Sequence, residues 1–195
     1  MMKINVEEMI QNELRQPDEN DLWAGSKHQA WKHLGTPQIK GSLGTKIYKA
    51  LLESQGCEVE IISDQGDIKW RKDKKSPWIK EEVKAAAATV ELIYKGKENE
   101  QIKEQIWVNQ IRPGQKEWEG IVIVGIYPNH TRIWRKTRED WDANYKTLDS
   151  VAKGLKHTGQ EGDEQLEQVT MVKNSKRNNF KEWDCIYTDQ EGDKV

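Results

Sequence analysis

Asp67 and, further along, Glu82-Val83-Lys84 are the residues of this 195-residue chain whose types and spacing carry the most chemistry. Two carboxylates offer hard oxygen ligands to a divalent cation, with the Val83 carbonyl as a candidate third ligand. A lysine two residues beyond one of them can orient a water and offset the charge that develops at a phosphodiester under attack. Between the two carboxylates runs a basic stretch, Lys69, Arg71, Lys72, Lys74, Lys75 and Lys80. Such cations meet phosphates and position a protein on nucleic acid without reading its sequence. The geometry requires that residues 78–86 be extended, because only then do Glu82 and Lys84 share one face while Val83 points away.

Other chemistries find little support. His28, His33, His130 and His157 are scattered, and no serine or cysteine stands in a nucleophile-elbow context. Gly41-Ser42-Leu43-Gly44 lacks the lysine and the spacing of a nucleotide-binding phosphate loop. Cys57 and Cys185 lie far apart, with no second ligand at metal-binding spacing, so neither a disulfide framework nor a zinc site is expected. Net charge is -2, and attraction to phosphate must therefore come from local clusters. A second such cluster, His130, Arg132, Arg135, Lys136 and Arg138, follows the most apolar part of the chain. Charge runs are more often simply a solvated face. No apolar run approaches the roughly 20 residues of a membrane span, and the polar, acidic stretch from Met1 to Leu22 has no signal-peptide core. The expectation is a cytoplasmic protein with no membrane partner.

The elements that must position these residues follow from local pattern. Ile47, Leu51 and Leu52 fall at helical spacing after Ser42, and Gly56 stands where a C-terminal cap belongs, which predicts a helix over 42–55. Alternation over Cys57–Ile62 and Asp67–Arg71, with turn chemistry at 63–66, predicts a hairpin. Trp78–Tyr94 is ambiguous: the alanine run and Ser76-Pro77 favour a helix by propensity, in which Glu81 and Lys84 would form an ordinary surface pair, while Val90–Tyr94 is more strand-like. Ile102–Val108 reads as a strand or a helix entry. Ile121–Tyr127 is a nearly continuous β-branched run, as in a strand covered on both faces, and Pro128-Asn129-His130 turns it back into Thr131–Trp134. Thr137 can cap a following helix. Beyond Leu155 the chain turns polar, with short strands at Val169–Val172 and Trp183–Tyr187. With 35% hydrophobic and 33% charged residues, one core with terminal additions is expected: an N-terminal helical or irregular arm over 1–40, a core over 41–150 and a C-terminal appendage over 151–195.

The order of a helix bearing Gly41-Ser42-Leu43-Gly44, a strand, Gly66-Asp67-Ile68, a basic connector, Glu82-Val83-Lys84 and a later buried strand resembles the PD-(D/E)xK nuclease superfamily. The resemblance spans roughly Gly41 to Trp134. It implies an α/β restriction-endonuclease-like core, a central mixed β-sheet flanked by helices. It also implies a Mg²⁺-dependent endonuclease acting on DNA, of the type II restriction class or a relative, with Mn²⁺ as a substitute metal and a homodimer as the form that cuts both strands. On that resemblance Asp67 and Glu82 bind metal with the Val83 carbonyl, and Lys84 positions the attacking water. Lys69, Arg71, Lys72, Lys74, Lys75, Gln110 and Arg132 would contact DNA, Gln110 by the resemblance alone. The chain departs from the pattern twice: Gly66 stands where the family name has proline, and Thr45 and Lys46 replace the helix-borne glutamate of some members. A different class also fits the even charge balance, a non-catalytic nucleic-acid- or protein-binding module with a nuclease-like core.

Overall fold

A computed structural model describes residues 21–62, 67–95, 98–111, 118–140, 169–172 and 183–190. Among the described residues one long helix, α1 (Pro37–Ser54), precedes eight strands: β1 (Glu58–Ile61), β2 (Ile68–Arg71), β3 (Ile79–Lys95), β4 (Glu98–Ile111), β5 (Gly120–Ile126), β6 (Thr131–Thr137), β7 (Val169–Val172) and β8 (Asp184–Thr188). The sheet runs β1-β2-β3-β5-β6-β8, with β4 pairing β3 and β7. It is mixed, since β3 and β5 are parallel while the other pairs are antiparallel. This is an α/β architecture dominated by its sheet.

The helix starts a turn earlier than the sequence pattern predicts. Thr36 is its N-cap and Pro37 opens it, a position where the missing proline amide costs nothing. Gly41 and Gly44 therefore lie inside α1 rather than ahead of it. Gly44 faces Ala85 of β3 so closely that a methyl group would not fit between them, which is how the helix backbone settles onto the sheet.

The ambiguous segment Trp78–Tyr94 is the strand β3, as the carboxylate–lysine geometry requires. Its alanine run favours a helix by local propensity, yet the whole segment is extended. Pairing with β2 over Ile79–Glu81, β5 over Glu81–Ala87 and β4 from Ala88 onward, with burial of Val83, Ala86 and Ala88, outweighs the few tenths of a kcal/mol per residue that propensity offers. β5 is buried along its full length, as its composition predicts, and forms the expected hairpin with β6. β1 and β2 pair as expected, but β1 is less buried than its alternation implies, and Ile61 at its end is 53% exposed.

Alternation along β3 sorts the sheet into two faces. Glu81, Val83 and Ala85 look toward α1, and the β5 and β6 registers place Val122, Val124, Ile133 and Arg135 on that face. Glu82, Lys84, Ala86 and Ala88 look the other way, with Ile121, Ile123, Trp134 and Lys136. The segment expected as an N-terminal arm contributes buried Trp23 and Trp31 to the core, and the His28 amide donates to the Pro128 carbonyl at 2.9 Å. The segment expected as a C-terminal appendage supplies β8, which pairs β6 at the sheet edge. The turn expected at 63–66 and most of 141–195 lie outside the described residues. Among the described residues no helix is long and apolar enough to cross a membrane.

Candidate active site

The site forms where β2 and β3 part. Their ladder ends at Ile68↔Glu81, and the Asp67 amide still donates to the Glu81 carbonyl at 3.0 Å. That bond is one residue out of the ladder register, so Asp67 and Ile68 both stand against Glu81, a bulge that leaves Asp67 beside Val83 at the strand edge and not opposite Glu82. The next β3 amide on that edge belongs to Val83. It donates to the Asp67 carboxylate, Oδ2, at 2.8 Å, so a side chain replaces the ladder partner that β2 no longer supplies. Amide and carbonyl of one strand residue project to the same edge, which turns the Val83 carbonyl the same way.

This parting of strands opens a cleft of about 770 Å³ between α1 and the sheet. Asp67, Val83 and Lys84 line one side, and Gln38, Gly41, Ser42 and Thr45, spaced along one helical face, line the other. Glu82 is not among the lining residues: its side chain is 3% exposed and its Oε1 accepts from Lys84 Nζ at 2.5 Å. Lys84, 23% exposed, thus links the buried carboxylate to the cleft. The structure brings Asp67, the Val83 backbone and Lys84 together at the opening, while Glu82 is not brought to it: it is buried on the sheet face away from α1 and paired with Lys84.

A cation held here would take carboxylate and carbonyl oxygens, a hard donor set suited to Mg²⁺. Among the described residues no group of three or more histidine, cysteine or acidic side chains could hold a metal ion. Two carboxylates and waters are an ordinary complement for Mg²⁺, which dehydrates reluctantly.

The basic residues are dispersed. Lys69 pairs with Glu60 at 2.7 Å and Arg71 with Glu58 at 2.5 Å, both across the β1–β2 hairpin, and both cations also sit over the Trp78 ring at 4.7 and 4.5 Å. Their charge is largely neutralised within the hairpin. Lys72, Lys74 and Lys75 are exposed on the connector, where Asp73 accepts the Lys75 and Ser76 amides and organises the turn. Arg132 donates to Gln190 at 2.6 Å, and strand alternation separates it and Lys136 from Arg135, so the second cluster does not form one groove. Gln110 lies in β4, and Arg112 lies outside the described residues.

Sequence reading missed Glu81. Its carboxylate is fully buried and accepts from Tyr48 at 2.6 Å, Trp70 at 2.7 Å and Arg135 at 2.5 Å. Burial, reinforced by this neighbouring carboxylate, raises the Tyr48 hydroxyl far above the ordinary phenol range and keeps it a donor. Burial disfavours the Arg135 charge, but the attraction of Glu81 outweighs it and its pKa rises. Nothing local in the sequence marks Glu81. The helix wall of the cleft carried a fainter signal, polar and small residues at Gln38, Ser42 and Thr45 with helical spacing. Compared with protein-family models, curated proteins and solved structures, the chain has no match.

Proposed function

We propose that this protein is a Mg²⁺-dependent endonuclease that hydrolyses DNA phosphodiester bonds on a restriction-endonuclease-like core. The observation that carries the reading is the strand fork, with Asp67 fixed on the Val83 amide and Lys84 beside it at the mouth of a cleft. Support comes also from β3 being extended, the condition on which the whole constellation depends.

In this reading Asp67, Glu82 and the Val83 carbonyl hold the cation. When bound, the cation polarises the phosphate and makes a water nucleophilic near neutral pH. Lys84 holds that water through its ammonium protons and offsets charge on the phosphate oxygens. The polar face of α1 at Gln38, Ser42 and Thr45 meets the sugar-phosphate backbone. Lys72, Lys74 and Lys75 are the basic-stretch residues best exposed to reach phosphates further out. Cutting both strands of a duplex calls for two such sites, hence a homodimer.

A second reading, a non-catalytic nucleic-acid- or protein-binding module, draws on the burial of Glu82 under Lys84, a pair that neutralises itself. Supercoiled plasmid separates the two. The nuclease converts it to nicked or linear form with Mg²⁺ or Mn²⁺ and not in chelator. Asp67→Asn, Glu82→Gln and Lys84→Ala each lose about 10²-fold or more, the scale of an electrostatic catalytic group. Folded wild type that cuts no DNA substrate, or variants that cut as well as it does, would reject the assignment.

A further inference from the structure

We infer that the buried Glu81 carboxylate is a positioning residue that locks the register in which β2 meets β3, and so holds the Asp67 carboxylate on the Val83 amide. The inference rests on the proposed site for its functional meaning, while its structural content stands on independent observations.

The ladder between β2 and β3 is short, three residue pairs from Trp70↔Ile79 to Ile68↔Glu81. A slip of one residue in a strand pair exchanges every side chain between faces. Here a slip would carry Asp67 away from the Val83 amide. So few backbone bonds specify register weakly, and the side chains must add to them.

Glu81 does this from both of its ends. Its carbonyl accepts the Asp67 amide at 3.0 Å. Its carboxylate accepts from Trp70, the diagonal neighbour on β2, and from Tyr48 of α1 and Arg135 of β6. One side chain therefore references β2 to the helix and to the far side of the sheet. The neighbouring strand is shaped around it: a Cβ on Gly120 would fall 2.7 Å from Glu81 Oε1. A buried charge of this kind is costly, and apolar residues of similar volume often serve stability as well. What an apolar residue lacks is direction, because three donors converge on a carboxylate in only one register.

The test compares wild type with Glu81→Gln, which keeps volume but presents an amide to Arg135, and with Trp70→Phe, which removes the β2 donor alone. Amide hydrogen exchange resolved by residue is the first readout. Exchange at Asp67 and Val83 is expected to rise about tenfold or more while Ile123 and Val124 in β5 keep their protection, as in a local opening. The second readout is Mn²⁺ affinity, expected to fall about 10-fold or more, as when ligand-orienting groups are lost. If Asp67 and Val83 exchange at wild-type rates, or if all four amides lose protection together, the register role is wrong. Should Glu81→Gln fail to fold, Trp70→Phe decides by the same criteria. Wild type that binds no Mn²⁺ sinks the proposed nuclease and leaves the exchange result to decide the register role by itself.

Discussion

Replacing glycine by alanine at two positions of α1, a single turn apart, should have opposite effects. At Gly41 an added Cβ meets nothing within 4 Å. Alanine there gains helix propensity and reduces the freedom of the unfolded chain, a stabilisation of about 0.5–1 kcal/mol. At Gly44 the same atom falls inside 3.0 Å of the Ala85 Cβ, so helix or strand must move. Overpacking of this sort costs about 1–3 kcal/mol, and subtracting the same propensity gain leaves a net loss of about 0.5–2 kcal/mol. The two variants should thus differ by roughly 2 kcal/mol in urea unfolding at unchanged m-value. Ala85→Gly removes the opposing methyl, after which the nearest remaining atom is the Ala85 Cα at 3.5 Å, ordinary contact. Combined with Gly44→Ala it should recover much of the loss, giving a coupling of about 1 kcal/mol or more in a double-mutant cycle. Gly44→Ala as stable as Gly41→Ala, or a cycle without coupling, would refute the close approach of α1 to β3 that frames the cleft.

Further outcomes follow from the same structure. Gly41→Phe should place a ring in the cleft without touching the core, so the proposed DNA cleavage falls while the thermal midpoint holds; equal loss of both would contradict it. Lys84→Ala strips a hydrogen-bonding partner from the buried Glu82 and should destabilise by about 1–3 kcal/mol, most of it regained in Lys84→Ala/Glu82→Gln, as denaturant melts would reveal. Asp189 accepts the Thr131 amide and pairs with Lys27; burial opposes its charge, but these bonds prevail and hold its pKa below the ordinary 3.8. Because the folded form then binds fewer protons than the unfolded one, the Asp189 contribution is complete above 3.8 and fades as pH falls through the lower folded value. The stability gap between wild type and Asp189→Asn should shrink in that acid range and stay flat from pH 5 to 7, about a unit or more above it.

Some of this protein was legible one segment at a time. The β-branched run of β5, its return through β6 and the helix ending before Gly56 are recorded in short-range pattern, because each element's own residues decide its burial and its caps. The candidate residues Asp67, Glu82 and Lys84 could be picked by type and spacing. Their geometry could not, since it hinges on β3 being a strand, and its alanines favour the opposite locally. Only strand pairing overrules that preference: β5 along Glu81–Ala87, with β2 before the alanines at Ile79–Glu81 and β4 from Ala88 onward. The same holds for the groups around Glu81, whose donors come from 33, 11 and 54 residues away in sequence. The ion pairs that neutralise Lys69 and Arg71 likewise exist only in the β1–β2 register. Sequence by itself determined which side chains could bind a cation or a phosphate. Tertiary structure decided which of them meet, because long-range pairing fixes backbone direction, and backbone direction sets where every charge points.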